Sequence, residues 1–413
     1  MPRRTRCAAI IAAACVAVAT VGGCSGTDSG SGDSSKPIAV GGLLPLSGGG
    51  SVYGPDIETA LRVAVDEINQ KPPMGRKFDL HIADDQTDPD AGTRAAQKLI
   101  SVNRVSAILG IWSSSVTLAV APMAIQSDVM VGTAAGAGDV TKLDDRDLVW
   151  RFYPPGKYTG EAIAQAVKAQ GWDSAVAMSR NDPSGLTIID SFRKSFEAKG
   201  GKILDSVTYP PSQSSYTGEV RKAIDAKADV VVNVGYTPEL SAMLKDAANT
   251  PDKGTWLSVG WSVNGDLFKA VGDAAAEGIY SVDAAPNVDG GAFRHVSEAF
   301  QSKTGKELLP SNTFVFSAYD SAVVAALAMT ACTCTKGKAF TDAIRAVSGG
   351  PGEEVDTYAA GVAALAKGAD INYQGASSNL EFDDKGDQLS DYGIYQVRAG
   401  KIDLVRAFSL QTP

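Results

Sequence analysis

The residues with the clearest chemical potential are three consecutive serines, Ser113, Ser114 and Ser115, which stand between an apolar run and a helical one. In open α/β sheets, small molecules bind outside the carboxyl ends of the strands, where the first turn of a helix offers unpaired backbone N–H groups. Hydroxyls and backbone donors at such a point suit an anion, most simply a carboxylate. The same residues also fit an ordinary helix cap with no ligand, and composition alone favours this second interpretation.

Catalytic chemistry finds little support in the residue types. The two histidines, His81 and His295, stand far from any G-x-S-x-G turn, so a serine nucleophile lacks an evident base. Asp84 and Asp85 are adjacent on a predicted strand and therefore point to opposite faces. The glycine-rich stretch 48–50 matches neither common nucleotide-binding motif. We therefore expect a protein that is not an enzyme and that uses no cofactor and no metal ion.

The elements that must position these residues follow an α/β pattern. From residue 38 onward, short apolar runs alternate with stretches of helical spacing, which is typical of parallel sheets covered by helices on both faces. The predicted strands cover 38–44, 78–82, 106–110, 129–132, 174–179, 202–208, 229–234, 255–259 and 278–282. The segment VWRFYPPG at 149–156 is extended and ends in two prolines, so we predict that it crosses between two lobes.

Length and charge exclude some classes of function. With 413 residues, 44% of them hydrophobic, the chain is long enough for two domains that each bury a core. The first 23 residues hold three arginines and no acid, so without them the formal charge of −9 becomes −12. We expect no nucleic-acid partner, because phosphate binding needs a concentrated basic face.

The N-terminus has the features of an export signal, with arginines followed by an apolar run. Residues 21–24, Val-Gly-Gly-Cys, resemble the bacterial lipobox, in which the signal is cut before a cysteine that then carries lipid. We predict a signal peptide over 1–23, a lipid anchor on Cys24, and a flexible Ser/Gly/Asp-rich tether over 24–36. A plain secretory signal with an incidental cysteine is the alternative. Two further cysteines, Cys332 and Cys334, fit either a disulfide or two free thiols.

Nearly the whole chain after residue 36 resembles the bacterial Leu/Ile/Val-binding protein family of ABC-transporter receptors. The matching motifs, in order, are PLSG at 45–48, AVDEIN at 64–69, DDQTDP at 84–89, GIWSSSVT at 110–117, GTAAGAGDV at 132–140, RFYPPG at 151–156, GYTPEL at 235–240, AAEGIY at 275–280, AYDSA at 318–322 and FDDKGD at 382–387. The resemblance implies the type I periplasmic-binding-protein fold, with two Rossmann-like lobes joined by three strands. The expected lobes are 37–150 plus 284–350 and 151–283 plus 351–413.

The resemblance also implies a ligand site between the lobes. It assigns the ligand carboxylate to Ser114, a carbonyl for the ligand ammonium to Ala134, and rings over the ligand to Tyr53 and Tyr236. The full set of expected ligand-binding residues is Tyr53, Ser113, Ser114, Ser115, Thr133, Ala134, Ala135, Ser184, Tyr236 and Trp261.

Three positions depart from the family pattern. Gly136 stands where a threonine is common, and Ser184 where many relatives have a tyrosine. Gly260 aligns with the glutamate that holds the ammonium in members that bind amino acids. Either another acid, such as Glu239 or Asp283, substitutes for it, or the ligand lacks an ammonium, because a buried ammonium without a carboxylate is strongly unfavourable.

The expected function is that of a lipid-anchored receptor on the extracytoplasmic face of the membrane. By resemblance, it closes around an amino acid or a related small carboxylate or amide and delivers it to the permease subunits of an ABC importer. We expect a monomer. A ligand-sensing subunit that feeds a separate membrane signalling protein is the alternative.

Overall fold

The structure is a computed structural model that describes residues 36–410. The predicted signal peptide and Cys24 lie outside the described residues, as does all of the tether except its last residue. The lipid anchor therefore stays a prediction.

The first lobe is built on a parallel sheet of five strands. Its strands are β1 (Ile38–Leu44), β2 (Phe78–Asp84), β3 (Ala107–Ile111), β4 (Met130–Thr133) and β5 (Val149–Arg151), and its helices are α1 (Gly54–Ile68), α2 (Pro89–Ser101) and α3 (Ser114–Gln126). The spatial order is β2-β1-β3-β4-β5. Asp88 begins α2, since its carboxylate accepts a hydrogen bond of 2.7 Å from the Ala91 N–H and Pro89 follows at the first helical position.

The second lobe is built on a mixed sheet of seven strands. Five strands come from the middle of the chain: β6 (Ser174–Arg180), β7 (Lys202–Tyr209), β8 (Val230–Val234), β9 (Trp256–Val259) and β10 (Tyr280–Ala285). The helices here are α4 (Gly156–Ala169), α5 (Pro183–Ala198), α6 (Thr217–Asp225), α7 (Thr237–Ala248), α8 (Gly265–Val271) and α9 (Asp273–Ala276). These five strands run parallel to one another. Two sheets built mainly from parallel strands, with helices around them, confirm the predicted α/β class.

The last part of the chain contributes to both lobes. Its elements are α10 (Gly291–Thr304), α11 (Thr313–Cys332), α12 (Lys338–Ser348), β11 (Glu353–Val355), α13 (Tyr358–Leu365), β12 (Ile371–Tyr373), β13 (Asp391–Arg398) and β14 (Lys401–Phe408). The last two strands join the second sheet, which runs β14-β13-β10-β9-β8-β6-β7, and they pair antiparallel.

The segment 351–373, which is predicted to belong to the second lobe, packs on helices around the first sheet. Helix α13 contacts α11 and α1, and β12 contacts α12, all of which belong to the first lobe. The Tyr358 hydroxyl donates to the Lys71 carbonyl at 2.8 Å, which ties this segment to the end of α1. Sequence spacing could not show this, because the segment's own short pair of strands stands apart from both main sheets.

Helix α11 is the central core helix of the first lobe. By length and composition it could span a membrane. However, 89% of its most apolar stretch is buried inside the protein. Its Asp320 accepts hydrogen bonds from the Tyr373 hydroxyl, from the Ala376 and Ser377 N–H groups and from the Ser377 hydroxyl. These bonds hold residues 373–377, which follow β12, against the first lobe.

The two cysteines at the end of α11 form a disulfide between Cys332 and Cys334. Thr333, between them, adopts a left-handed backbone conformation with a φ of 52°. The structure thus selects the disulfide from the two alternatives that the sequence left open.

Candidate functional site

The candidate site lies where strand ends of the two sheets meet. Trp112 directly follows β3 of the first sheet, and Tyr236 follows the end of β8 in the second sheet by two residues. The centroids of these two rings are 4.6 Å apart. Open α/β sheets bind ligands at the carboxyl ends of their strands. A ligand site is therefore expected at this junction.

The serine run forms the first wall of this junction. Ser113 is the N-cap of α3 but its side chain makes no capping hydrogen bond. The Ser114 hydroxyl is buried and accepts a hydrogen bond of 3.1 Å from the Ala137 N–H. Ser114 therefore joins the loop after β3 to the loop after β4, and its own proton remains available for donation.

The neighbouring loop presents backbone rather than side chains. The Thr133 hydroxyl donates to the Ile111 carbonyl at 2.9 Å and accepts from the Ala135 N–H at 3.1 Å, so its bonding capacity is used within the first lobe. The Ala135 side chain is buried in the core that α2 and α3 share with the sheet. Ala134 lies partly buried on the other side, against the core that contains the aromatic rings of the junction.

Six aromatic rings meet between the lobes, and we call them the aromatic cluster. The first lobe contributes Tyr53, Trp112 and Phe314, the second contributes Tyr236 and Trp261, and the crossing after β5 contributes Tyr153. The Trp112 ring lies 4.7 Å from that of Tyr53 and 4.6 Å from that of Tyr236. Phe314 lies at 5.2 Å from Tyr153 and 5.8 Å from Trp261. Such pairs stabilise the contact beyond the apolar area they bury.

A polar contact reinforces the aromatic cluster. The Tyr53 hydroxyl lies 3.1 Å from the Thr237 hydroxyl and accepts from the Thr237 N–H at 3.3 Å. Thr237 opens α7, so a first-lobe tyrosine satisfies a free N–H at the start of a second-lobe helix.

A buried ion cluster lies beside Tyr236 in the second lobe. The Arg180 guanidinium pairs with Glu239 and, at 2.8 Å, with Asp182. It also lies over the Tyr236 ring, 4.0 Å from its centroid, in a cation–π contact. Desolvation lowers the pKa of Arg180, but Tyr236 and the two carboxylates outweigh it, so the net pKa is raised and the guanidinium stays charged.

Asp283 lies within β10, two residues before its carboxyl end, and fills the space beside Gly260. A Cβ atom on Gly260 would lie 2.5 Å from the Asp283 Oδ2 atom, so only glycine fits there. The Tyr153 hydroxyl donates to the Asp283 Oδ1 atom at 2.7 Å. Burial raises the pKa of Asp283 to about 7, against which the bonds from Tyr153 and from the Ala284 N–H act.

Gly136 and Ser184 meet across the lobes at the edge of the junction. A Cβ atom on Gly136 would lie 2.6 Å from the Ser184 Oγ atom. Nearby, the Gly138 N–H donates to the Thr187 hydroxyl at 3.1 Å. The two departures from the family pattern at these positions thus match each other, because the small residue in one lobe leaves room for the hydroxyl of the other.

A cavity of about 240 Å³ adjoins the aromatic cluster on the side of residues 306–315. Tyr53, Trp261 and Phe314 line this cavity, and so do Asp56 and Lys306, which pair at 2.9 Å. The aromatic cluster therefore has an opening toward the surface between the lobes.

The structure brings most of the expected site residues to this junction. Tyr53, Tyr236 and Trp261 are in the aromatic cluster, Ser113 and Ser114 begin α3 next to Trp112, and Ser184 lies at the edge. The Thr133 hydroxyl and the Ala135 side chain instead face their own lobe. Ser115 lies further along α3 and is half-buried.

Sequence reasoning missed several residues of the junction. They are Trp112, Tyr153, Arg180, Thr237 and Phe314. Trp112 and Thr237 could have been found, since each adjoins an expected site residue at a strand end. Arg180 ends β6, which is also a strand-end position, whereas Phe314 comes from a core helix that gives no sequence signal.

Comparison with known proteins agrees with this architecture. The sequence model of the periplasmic binding protein family matches residues 37–369. A Leu/Ile/Val-binding protein of Rhizobium johnstonii is 26% identical over 285 residues, 68% of this chain and 76% of the relative. A chemotactic signal transduction substrate-binding protein of Halobacterium salinarum is 24% identical over 386 residues, 89% of each chain.

A solved structure shows the same fold. The crystal structure of a leucine-binding protein from Thermotoga maritima superposes with a TM-score of 0.77 at 21% identity, covering 90% of this chain and 99% of that one. The family match extends over most of the chain and includes strands of both sheets. The chain therefore belongs to the periplasmic binding protein family, and it has the type I fold of that family.

Proposed function

We propose that this protein binds a small carboxylate-bearing solute between its lobes and presents it to the permease of an ABC importer. The observation that carries the proposal is the aromatic cluster, which joins strand ends of both sheets through rings 4.6 to 6.1 Å apart. Membership of the family supports a location outside the cytoplasm and a binding role rather than an enzymatic one.

The first wall is suited to the ligand's carboxylate. The N-terminus of α3 offers unpaired N–H groups and the positive end of the helix dipole, and the Ser114 proton is free to donate. The backbone of four neighbouring residues supports this wall: Ser113, Ser115, Thr133 and Ala135. The Ala134 carbonyl offers a hydrogen-bond acceptor to the ligand. A small carboxylate, as in an amino acid or a related acid or amide, fits this set of donors.

The second wall completes the site when the lobes close. Tyr236, Trp261 and Ser184 come from the second lobe and contact first-lobe residues in the structure. A ligand that contacts both walls favours the closed form by its differential affinity for that form. The closed form, whose surface differs from the open one, is then what the permease recognises.

The membrane attachment rests on the N-terminal sequence. We propose that Cys24 carries the lipid and that the protein is held at the extracytoplasmic face, with the segment 25–36 as its tether. Replacing Cys24 with serine is expected to release the protein from the membrane fraction into the medium. Retention of the variant in the membrane fraction would contradict the lipid anchor.

A sensing role is the second candidate function. The halobacterial relative named as part of a chemotactic signal transduction system matches 89% of this chain. The same binding event would then act on a membrane signalling protein instead of a permease. Loss of solute uptake on deletion of the gene favours transport, whereas normal uptake with a lost response to the solute favours sensing.

A thermal-shift screen tests the binding proposal. A ligand that binds only the folded protein raises Tm with its concentration, so we expect at least one amino acid or small carboxylate to do so. Ser114→Ala is expected to lose the shift, whereas Ser127→Ala, at the other end of the same helix, keeps it. No shift from any amino acid, amide, aliphatic acid or aromatic acid would contradict the proposal.

A further inference from the structure

A large cavity lies away from the strand-end junction. It has a volume of about 890 Å³, and none of its lining residues belongs to the aromatic cluster. That volume is within the usual range for a site that takes a drug-sized ligand, about 300–1,000 Å³. Most of its wall comes from two stretches of chain, 285–289 and 378–391, and we call it the crossing cavity.

Both stretches carry the chain from one lobe to the other. Residues 286–290 join β10 of the second sheet to α10, which contacts α1 of the first lobe. Residues 374–390 join β12, which contacts α12 of the first lobe, to β13 of the second sheet. Tyr158 and Glu161 of α4 complete the wall together with the end of β14. A partner bound here therefore contacts two crossings and the second lobe at once.

The longer crossing is held in a fixed turn. The Asp383 carboxylate accepts hydrogen bonds from the Lys385 N–H at 2.8 Å and from the Asp387 N–H at 3.0 Å. Asp387 in turn pairs with Arg151 of β5 at 3.0 Å, and both of these side chains are buried. The protein's own contacts therefore form this part of the wall in advance, which lowers the cost of ordering it when a partner binds.

The charge of the crossing cavity is one-sided. Its lining residues include six acids and no lysine or arginine. Only Asp387 forms an ion pair within the described part of the chain, with Arg151. Lys157 lies over the Tyr158 ring, 4.3 Å from its centroid, and offsets part of the remaining negative charge. A cationic partner is therefore favoured. The five acids without an ion pair are Glu161, Asp289, Glu381, Asp383 and Asp391.

These acids are spread along the cavity rather than gathered at one point. Glu161 belongs to α4, Asp289 to the shorter crossing and Glu381 to the longer one. Among residues 36–410, no group of three acids, histidines or cysteines could hold a metal ion. The arrangement therefore suits several separated positive charges, as on an extended basic peptide, better than a single ion.

The cavity also contains a hydrogen-bond donor that has no acceptor. Gln388 lines the cavity and is 1% exposed. Its Oε1 atom accepts a hydrogen bond from the Ser378 hydroxyl, whereas its Nε2 atom has no partner among the described residues. The hydroxyl of Ser390, which also lines the cavity, is buried and without a partner as well. A buried donor without an acceptor costs free energy, and a carbonyl oxygen of a bound peptide satisfies it.

Apolar side chains in the same cavity are left uncovered. Val288 and Leu389 line it and are 42% and 40% exposed. Exposed ion pairs contribute at most about 1 kcal/mol each, so charge alone gives weak binding. Apolar residues between the basic ones of a peptide add to the affinity, because they remove this apolar surface from water.

We propose that the crossing cavity is a docking site for a short basic segment of a partner protein, bound in an extended conformation. Its lysine or arginine side chains lie against the unpaired acids, and one of its backbone carbonyls accepts a hydrogen bond from Gln388 Nε2. Its apolar side chains cover Val288 and Leu389. A polyamine has the charges but no carbonyl, so it leaves the Gln388 donor unsatisfied. This docking site is separate from the proposed solute site and does not depend on which solute the protein binds.

Labelled peptides test this docking site. The probe is the peptide Lys-Val-Lys-Val-Lys-amide with fluorescein at its N-terminus, and its binding to the purified protein is measured by fluorescence anisotropy. We expect a Kd below about 100 μM for this peptide, and no binding up to about 1 mM for the same peptide with glutamate in place of lysine. No binding of the lysine peptide, or equal binding of both peptides, would overturn the proposal. Competition by spermine at the affinity of the peptide would also overturn it, because the ligand would then be a small polyamine.

A variant of the cavity acids locates the binding. The triple variant Glu161→Gln, Asp289→Asn and Glu381→Gln removes three of the unpaired charges and should weaken binding of the lysine peptide at least about tenfold. Unchanged affinity in this variant would contradict the docking site.

A charge-matched control separates docking from general attraction to an acidic protein. The control removes three acids of α5 and α6 that line none of the described cavities, of which, as in the cavity variant, one is half-buried and two are exposed. It should leave the affinity within about twofold of the wild type. Equal losses in the two triple variants would show that the peptide has no particular site. The control changes are Glu197→Gln, Glu219→Gln and Asp225→Asn.

A further variant tests the hydrogen bond to the peptide backbone. Gln388→Met keeps a side chain of similar length but removes the amide, so it should weaken binding of the lysine peptide about fivefold and leave that of spermine unchanged. Folding of every variant is checked by its cooperative thermal transition. If folded Gln388→Met binds the peptide as tightly as the wild type does, Gln388 holds no carbonyl and the assignment of a peptide fails.

Discussion

In the first lobe, the cleft wall consists of two strand-end loops that hold each other through Ser114 and the Ala137 N–H, whereas in the second lobe it consists of side chains from several strand ends. The Thr133 hydroxyl of the first wall is satisfied within its own lobe, whereas the Ser114 hydroxyl keeps a proton to donate. The second wall contains an arginine shared by two acids and a carboxylate with an unused oxygen. In the proposed function, the first wall binds the carboxylate of the solute and the second wall selects the rest of the ligand.

The largest expected effect comes from the ion cluster of the second wall. Arg180→Ala leaves Glu239 buried without its counter-charge, so we expect the free energy of unfolding to fall by about 3–5 kcal/mol. Urea denaturation measures the change. Lys194→Ala, which breaks an exposed pair with Asp190, should cost less than about 1 kcal/mol. Similar losses for the two variants would show that the second wall does not depend on its buried charges.

The pH dependence of Asp283→Asn is the next largest effect. Because the folded-state pKa of Asp283 is raised from 3.8 to about 7, the folded protein holds this proton where the unfolded chain has lost it. The cost of the carboxylate is absent below pH 4, grows as pH rises to 7, and is then constant. The variant should therefore gain stability over the wild type across this range, by up to about 4 kcal/mol at pH 8. A difference in unfolding free energy that does not vary between pH 4 and pH 8 would contradict this.

The contact between the lobes at Gly136 gives a smaller effect. Gly136→Ala brings a methyl group against the Ser184 hydroxyl and should cost about 1 kcal/mol. Ser184→Ala should recover part of that cost in the double variant, because the hydroxyl is what the methyl group meets. A double-mutant cycle in thermal unfolding measures the coupling. Additive effects would mean that the two residues do not meet in solution.

The smallest expected effect on stability belongs to the first wall. Ser114→Ala removes one hydrogen bond to the Ala137 N–H and should lower the free energy of unfolding by no more than about 1 kcal/mol, while it weakens ligand binding. Parallel urea denaturation and ligand titration separate the two quantities. A large loss of stability with unchanged affinity would make Ser114 a structural cap only.

The fold was largely predictable because its pattern is local. The predicted strands at 202–208 and 229–234 lie within one residue of β7 and β8, since short apolar runs mark such elements. The lobe to which the segment 351–373 and its helix α13 belong is harder to predict. Their packing on α11 depends on contacts between residues that are far apart in the sequence.

The site was predictable only in part. Ser114, Tyr53 and Tyr236 follow from motif order, and each stands in the junction. The relation of Asp283 to Gly260 depends on the pairing of β9 with β10, which brings the two residues side by side. Sequence spacing does not determine which strands are neighbours in a mixed sheet. The sequence therefore offered Asp283 and Glu239 as equal substitutes, and the structure separates them by their partners.

The measurement that tests the central claim most directly is a crystal structure of the protein grown with the compound that most raises its Tm. We expect the compound to lie between the two lobes, with its carboxylate at the N-terminus of α3 near Ser114 and with Tyr236 and Trp261 against its other side. A compound bound elsewhere, with the aromatic cluster unchanged between the lobes, would contradict the claim that this junction is the ligand site.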